Sequence, residues 1–148
     1  MKYIITLVVC LLALPVYGQS EFLADGRLGV GLVLSKHADK NFDYESKHIV
    51  VGYYHEKTPL VAALVLPNSY GDPALTIGGM FRTKWYGPIQ GEVYLGAVIG
   101  YGDHIWPSYA GVSAYGWAGL GAKTPVKDLT IRFRAIPNVY TLGIDYLF

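Results

Sequence analysis

The chain has 148 residues, a length that suits one domain. Hydrophobic residues make up 52% of it and charged residues only 16%, with a formal net charge of +1. That balance argues against a nucleic-acid binder, which needs a basic patch or stripe, and against an ordinary soluble domain.

The first segment reads as a signal peptide. Met1-Lys2 supplies the positive start, Tyr3 to Leu14 is apolar, and Pro15-Val16-Tyr17-Gly18 offers a cut after Gly18. The apolar run is shorter than the roughly 20 residues a membrane helix needs. The expected division is therefore residues 1–18 as the signal peptide and 19–148 as a barrel. Cys10 is the only cysteine and lies inside the leader. A lipoprotein cut before it is disfavoured by Val9 and by the continuing Leu11-Leu12-Ala13-Leu14. The exported chain then has neither a disulfide nor a thiol nucleophile. Without Lys2, eleven basic residues face eleven acidic ones.

Beyond residue 20 no apolar run is long enough for a membrane helix, and no amphipathic helix pattern is sustained. Short segments of alternating polarity, each of about ten residues, are separated by Gly, Pro, Asn and Asp. They predict strands near 26–36, 47–56, 60–67, 74–86, 89–101, 112–122, 129–136 and 139–148. The expected fold is all-β: an eight-stranded antiparallel transmembrane β-barrel after a cleaved signal peptide. High glycine (18) and tyrosine (13) suit small inward positions and aromatic girdles.

In the fifth segment Val93, Leu95, Ala97 and Ile99 alternate with Glu92, Tyr94, Gly96 and Val98. The sixth carries Gly116, Gly119 and Gly121, which suggest close packing or a bend; no helix follows to make a phosphate cradle. In the seventh, Leu129, Ile131, Phe133 and Ala135 alternate with Thr130, Arg132 and Arg134. In the last, Tyr140, Leu142, Ile144, Tyr146 and Phe148 share one face, with Thr141, Gly143 and Asp145 between them. Glu92 should share the lumen with Arg132 and Arg134, because a basic charge on the lipid face costs roughly 2–4 kcal/mol at midplane. Such a group is expected to be structural. Met80, Tyr94 and Val98 would line an apolar part of the lumen, and Arg82, Lys84, Arg132 and Arg134 a basic part.

An N-terminus in the periplasm puts the connections near 37–46, 68–73, 102–111 and 137–138 outside. Those near 57–59, 87–88 and 123–128 face the periplasm. This parity gathers His37, Asn68-Ser69 and His48 at the outer rim. A serine within reach of a histidine is the minimal acyl-transfer pair: imidazole takes the hydroxyl proton and the oxygen attacks a carbonyl. The plainer reading is a turn, for which Asn68-Ser69-Tyr70-Gly71-Asp72-Pro73 is well suited. The histidines at 37, 48, 55 and 104 have no metal-ligand spacing. Asp39, Asp43 and Glu45 form a solvated acidic loop or a site for a divalent cation bridging lipid phosphates. No cofactor is expected.

The order of these features resembles the lipid A palmitoyltransferase family over roughly residues 30–148. His37 followed by Phe42-Asp43-Tyr44-Glu45 is similar to the family's strand-one histidine and Tyr-Asn-Glu-like segment. Asn68-Ser69-Tyr70 stands where the family has Asp-Ser-aromatic, and Ala135-Ile136-Pro137-Asn138 where it has aromatic-Ile-Pro-Gly. The resemblance implies an eight-stranded outer-membrane barrel that moves an acyl chain from phospholipid to lipid A. It implies catalytic roles for His37, Ser69 and Asn68. Asn68 takes the aspartate's place and, as an amide, can only hydrogen-bond and orient; Asp72 is a candidate for the missing carboxylate. Residues 19–28 are too short for the helix that precedes the family's barrel. The implied partners are outer-membrane lipids, with a monomer as the expected state. The competing expectation is a small, non-enzymatic surface barrel that adheres or shields through its outer loops.

Overall fold

The structure, a computed structural model, describes residues 25–39, 43–101, 104 and 108–148. The expected signal peptide, with Cys10, and Phe42 of the first long loop lie outside the described residues. The elements are β1 (Gly26–His37), β2 (Lys47–His55), β3 (Leu60–Leu66), β4 (Ala74–Arg82), β5 (Ile89–Ile99), β6 (Ser108–Tyr109), β7 (Val112–Lys123), β8 (Leu129–Ile136) and β9 (Val139–Leu147).

Eight of these, all but the two-residue β6, close an antiparallel barrel. Successive strands pair with one another, β5 pairs with β7, and β1 returns to β9 with His37 opposite Val139. Closure gives each of these eight strands a partner on both sides. The eight expected strands are all present. The fourth ends at Arg82 rather than near 86, because Thr83 interrupts the ladder. Thr83 N–H donates to Gly91 O (2.9 Å) while its hydroxyl accepts from Gly91 N–H (3.0 Å). Lys84, expected in the lumen, therefore lies exposed beyond the strand.

Period-two alternation divides the side chains. Leu32, Leu34, Ile77, Leu95, Leu120 and Leu142 point outward and are exposed. Tyr54, Val61, Met80 and Tyr94 pack inside, with Tyr115 and Trp117 against them. The interior has two levels. Toward the end that carries the turns near 57–59, 87–88 and 124–128, charged groups fill it. Arg132 Nε donates to both Glu92 carboxylate oxygens (2.9 and 3.2 Å), and its Nη1 donates to Asp145. Arg134 Nη2 donates to Asp145 (2.6 Å), and Arg82 Nε lies 3.4 Å from Glu92. Glu92 thus shares the lumen with Arg132 and Arg134 as expected; Arg132 bonds both carboxylates, and Arg134 bonds Asp145. At the other end, the rim, a cavity of about 530 Å³ opens between the strand ends.

Gly31 shows how tightly the charged level is packed. A Cβ there would lie 2.0 Å from Asp145 Oδ1. The glycine makes room for the carboxylate that two arginines share.

Asp145→Asn removes the carboxylate that Arg132 and Arg134 share. Breaking a buried ion pair from one side costs about 3–5 kcal/mol. The expected outcome is a loss of that order in urea unfolding of the barrel, followed by tryptophan fluorescence.

Candidate functional site

The rim site starts from strand register. Inward positions on β1 are the odd ones, so Ser35 and His37 both face the cavity. The backbone beyond His37 is held by Ala38 N–H donating to Asn138 O (2.8 Å). On β2, His48 faces in and is buried, opposite Val33 of β1.

Ser69 comes from the β3–β4 loop, and Asn68 positions it. Asn68 is fully buried. Its Oδ1 accepts from Tyr70 N–H (2.8 Å) and Asp72 N–H (3.2 Å), and its Nδ2 donates to Gly100 O (2.9 Å). This is an Asx-type turn, in which the side chain takes over hydrogen bonds the backbone would otherwise lack. Gly71 completes it with φ +89, a conformation that costs glycine little. Glu45 N–H donates to Ser69 O (2.9 Å) and ties the first long loop to the same point.

The result is a close pair: His37 Nε2 lies 2.9 Å from Ser69 Oγ. The Tyr44 ring stacks on the His37 imidazole at 3.8 Å and 9°. Tyr70 packs edge-on to Tyr44 and Tyr101 and stacks on His104 at 4.0 Å. Burial, then the Tyr44 hydroxyl beside it, raises the Tyr70 phenol above its ordinary pKa. Burial and Tyr70 do the same to Tyr101, outweighing the Ser69 hydroxyl, which favours the phenolate. Both phenols therefore stay protonated at neutral pH.

A second serine–histidine pair stands beside the first. His48 Nε2 lies 2.7 Å from Ser35 Oγ, and His48 Nδ1 lies 2.7 Å from Pro67 O. A carbonyl only accepts, so Nδ1 carries the proton; in the neutral ring Nε2 then offers its lone pair to the Ser35 hydroxyl. The competing acceptor for that hydroxyl, Glu45 O, is longer at 3.4 Å.

The four residues expected at the rim divide by role. His37 and Ser69 meet. Asn68 touches the loop backbone, so it orients Ser69 rather than His37. His48 joins Ser35, which pattern reading did not single out, although its parity with His37 on one strand was a usable signal. Asp72, the candidate replacement carboxylate, is exposed. Asp39 instead lines the cavity, two residues beyond His37. Tyr44 stands in the Phe42-Asp43-Tyr44-Glu45 segment noted for its resemblance but carried no role there, and Tyr101 was not singled out, since loop residues carry no periodicity. No known family model matches the chain, and no curated protein matches its sequence.

Asn68→Ala deletes three hydrogen bonds of the serine loop. At about 1 ± 0.5 kcal/mol for each typical bond, the loop loosens without unfolding the barrel. Amide hydrogen exchange should quicken at Tyr70 and Asp72 and stay unchanged in β8.

Proposed function

We propose that the protein is an exported outer-membrane barrel of lipid A acyltransferase type, with Ser69 as nucleophile and His37 as general base. The observation that carries this reading is the 2.9 Å contact between His37 Nε2 and Ser69 Oγ at the mouth of an apolar-walled cavity. Its volume of about 530 Å³ falls in the usual range for a ligand site.

A membrane location is supported by the exterior. Leu32, Leu34, Leu95 and Leu142 are 66%, 56%, 61% and 52% exposed. In water this apolar belt would forfeit roughly 25 cal/mol for every Å² left uncovered. In lipid it forfeits none of that. Strand closure serves the further demand that backbone groups within the bilayer be paired.

The chemistry follows from the pair. His37 Nε2 takes the Ser69 proton as Oγ attacks the carbonyl carbon of a phospholipid ester. The tetrahedral adduct collapses, the ester C–O bond breaks, and His37 returns the proton to the leaving alcohol. A lipid A hydroxyl, deprotonated by His37, then attacks the acyl-serine; the acyl C–Oγ bond breaks and His37 returns the proton to Ser69. Tyr44 fixes the imidazole plane, which keeps Nε2 aimed at Oγ. Tyr101, a protonated phenol near Ser69, is suited to donate toward a developing oxyanion.

A second reading is favoured by the ring cluster. Tyr44, Tyr70, Tyr101 and His104 join three rim loops into one aromatic surface. Such a surface suits a non-enzymatic barrel that adheres or shields.

Mass spectrometry of lipid A from expressing cells separates the two. The expected result is a gain of one acyl chain with the wild type and none with Ser69→Ala. His37→Ala should lower the rate about 10²–10⁴-fold. A gain that survives Ser69→Ala and vanishes in Ser35→Ala moves the nucleophile to the second pair. Unchanged lipid A with folded wild-type protein favours the surface reading.

The membrane location has its own check. Leu95→Arg on the outer face should destabilise the barrel in lipid vesicles by about 2–4 kcal/mol if the site is at midplane, measured by urea titration.

A further inference from the structure

Two buried polar atoms of residues that line the cavity have no hydrogen-bond partner among the described residues: Arg134 Nε and Thr141 Oγ1. They belong to facing residues, since Arg134 and Thr141 oppose each other across the β8–β9 ladder. Buried polar atoms are nearly always satisfied, so two adjacent orphans on one cavity wall point to a ligand.

The charge balance says what kind. The ionic cluster holds three guanidiniums, Arg82, Arg132 and Arg134, against two carboxylates, Glu92 and Asp145. One positive charge is left over. Of the five residues, Arg134 alone borders the cavity. Its guanidinium lies over the Trp117 ring at 5.0 Å. A ring face attracts a cation but carries no net charge, so the excess stands. A water molecule would satisfy the N–H and the hydroxyl and still leave that charge. An anion satisfies all three, and Arg and hydroxyl donors suit a carboxylate. The remaining wall is largely apolar, with Val33, Val65, Met80 and Val98.

We propose that Arg134 and Thr141 form a carboxylate site within the cavity, and that its ligand is a fatty acid whose hydrocarbon tail lies against the apolar wall. This goes beyond acyl transfer. It needs no turnover at Ser69, so its failure and the failure of the acyltransferase reading are separable.

The test uses the purified barrel in nonionic detergent. Trp85→Phe and Trp106→Phe leave Trp117, beneath Arg134, as the sole tryptophan. Its fluorescence is titrated with decanoate and with decanol at pH 8, where a carboxylate is ionised. Concentrations are expressed as mole fraction in the detergent. The expected midpoint for decanoate is about tenfold lower than for decanol. Arg134→Gln should raise the decanoate midpoint to that of decanol. Thr141→Val leaves every ion pair in place and should raise it several-fold, so it decides the matter alone if Arg134→Gln fails to fold. Equal midpoints for the two amphiphiles overturn the proposal. So does a decanoate midpoint unmoved by Thr141→Val in protein with unchanged circular dichroism.

Discussion

Everything above the charged level rests on Arg132. Its guanidinium sits between Glu92 of β5 and Asp145 of β9, and joins strands that are far apart in the chain. Taking these charges out of water costs several kcal/mol per ion. The cost is met because each carboxylate has two arginine neighbours, and because Gly31 leaves room for Asp145. The cluster closes one end of the interior. Toward the rim lies the cavity, which Arg134 of this cluster borders.

That boundary shapes the chemistry available at the rim. The cavity wall runs from the serine–histidine pairs to a guanidinium, through a stretch of valine, methionine and aromatic side chains. A ligand lying along it meets serine hydroxyls at one end and a fixed positive charge at the other. Hydrocarbon alone matches the middle; only an anionic group matches the far boundary. The two serine–histidine pairs also differ in how they are held. His48 is locked by a carbonyl on its second nitrogen, whereas His37 is held by a stacked ring. The first arrangement sets a tautomer, and the second sets only the ring plane.

The rim loops divide along the same line. The serine loop is rigid by construction, because a buried amide spends its groups on three backbone partners. The segment around Tyr44 meets it through a backbone bond to Ser69 and through ring contacts.

Much of this was readable from the chain. Period-two alternation over eight segments dictates strands with one apolar and one mixed face, since successive side chains point to opposite sides. Parity then put Glu92, Arg132 and Arg134 in the lumen and gathered His37, His48 and Ser69 at one rim. Pairings across the barrel were not readable. That Arg132 and Arg134 share Asp145, and that His48 meets Ser35 rather than Ser69, depend on the register between strands and on closure of β1 against β9. Asn68 read as a substituted catalytic acid, but its burial against Gly100 makes it the anchor of a loop. The sequence by itself determined which side of each strand a residue occupies, because that is a local property of an extended backbone. Only the tertiary structure decided which residues touch, because barrel closure sets distances between strands that no local pattern encodes.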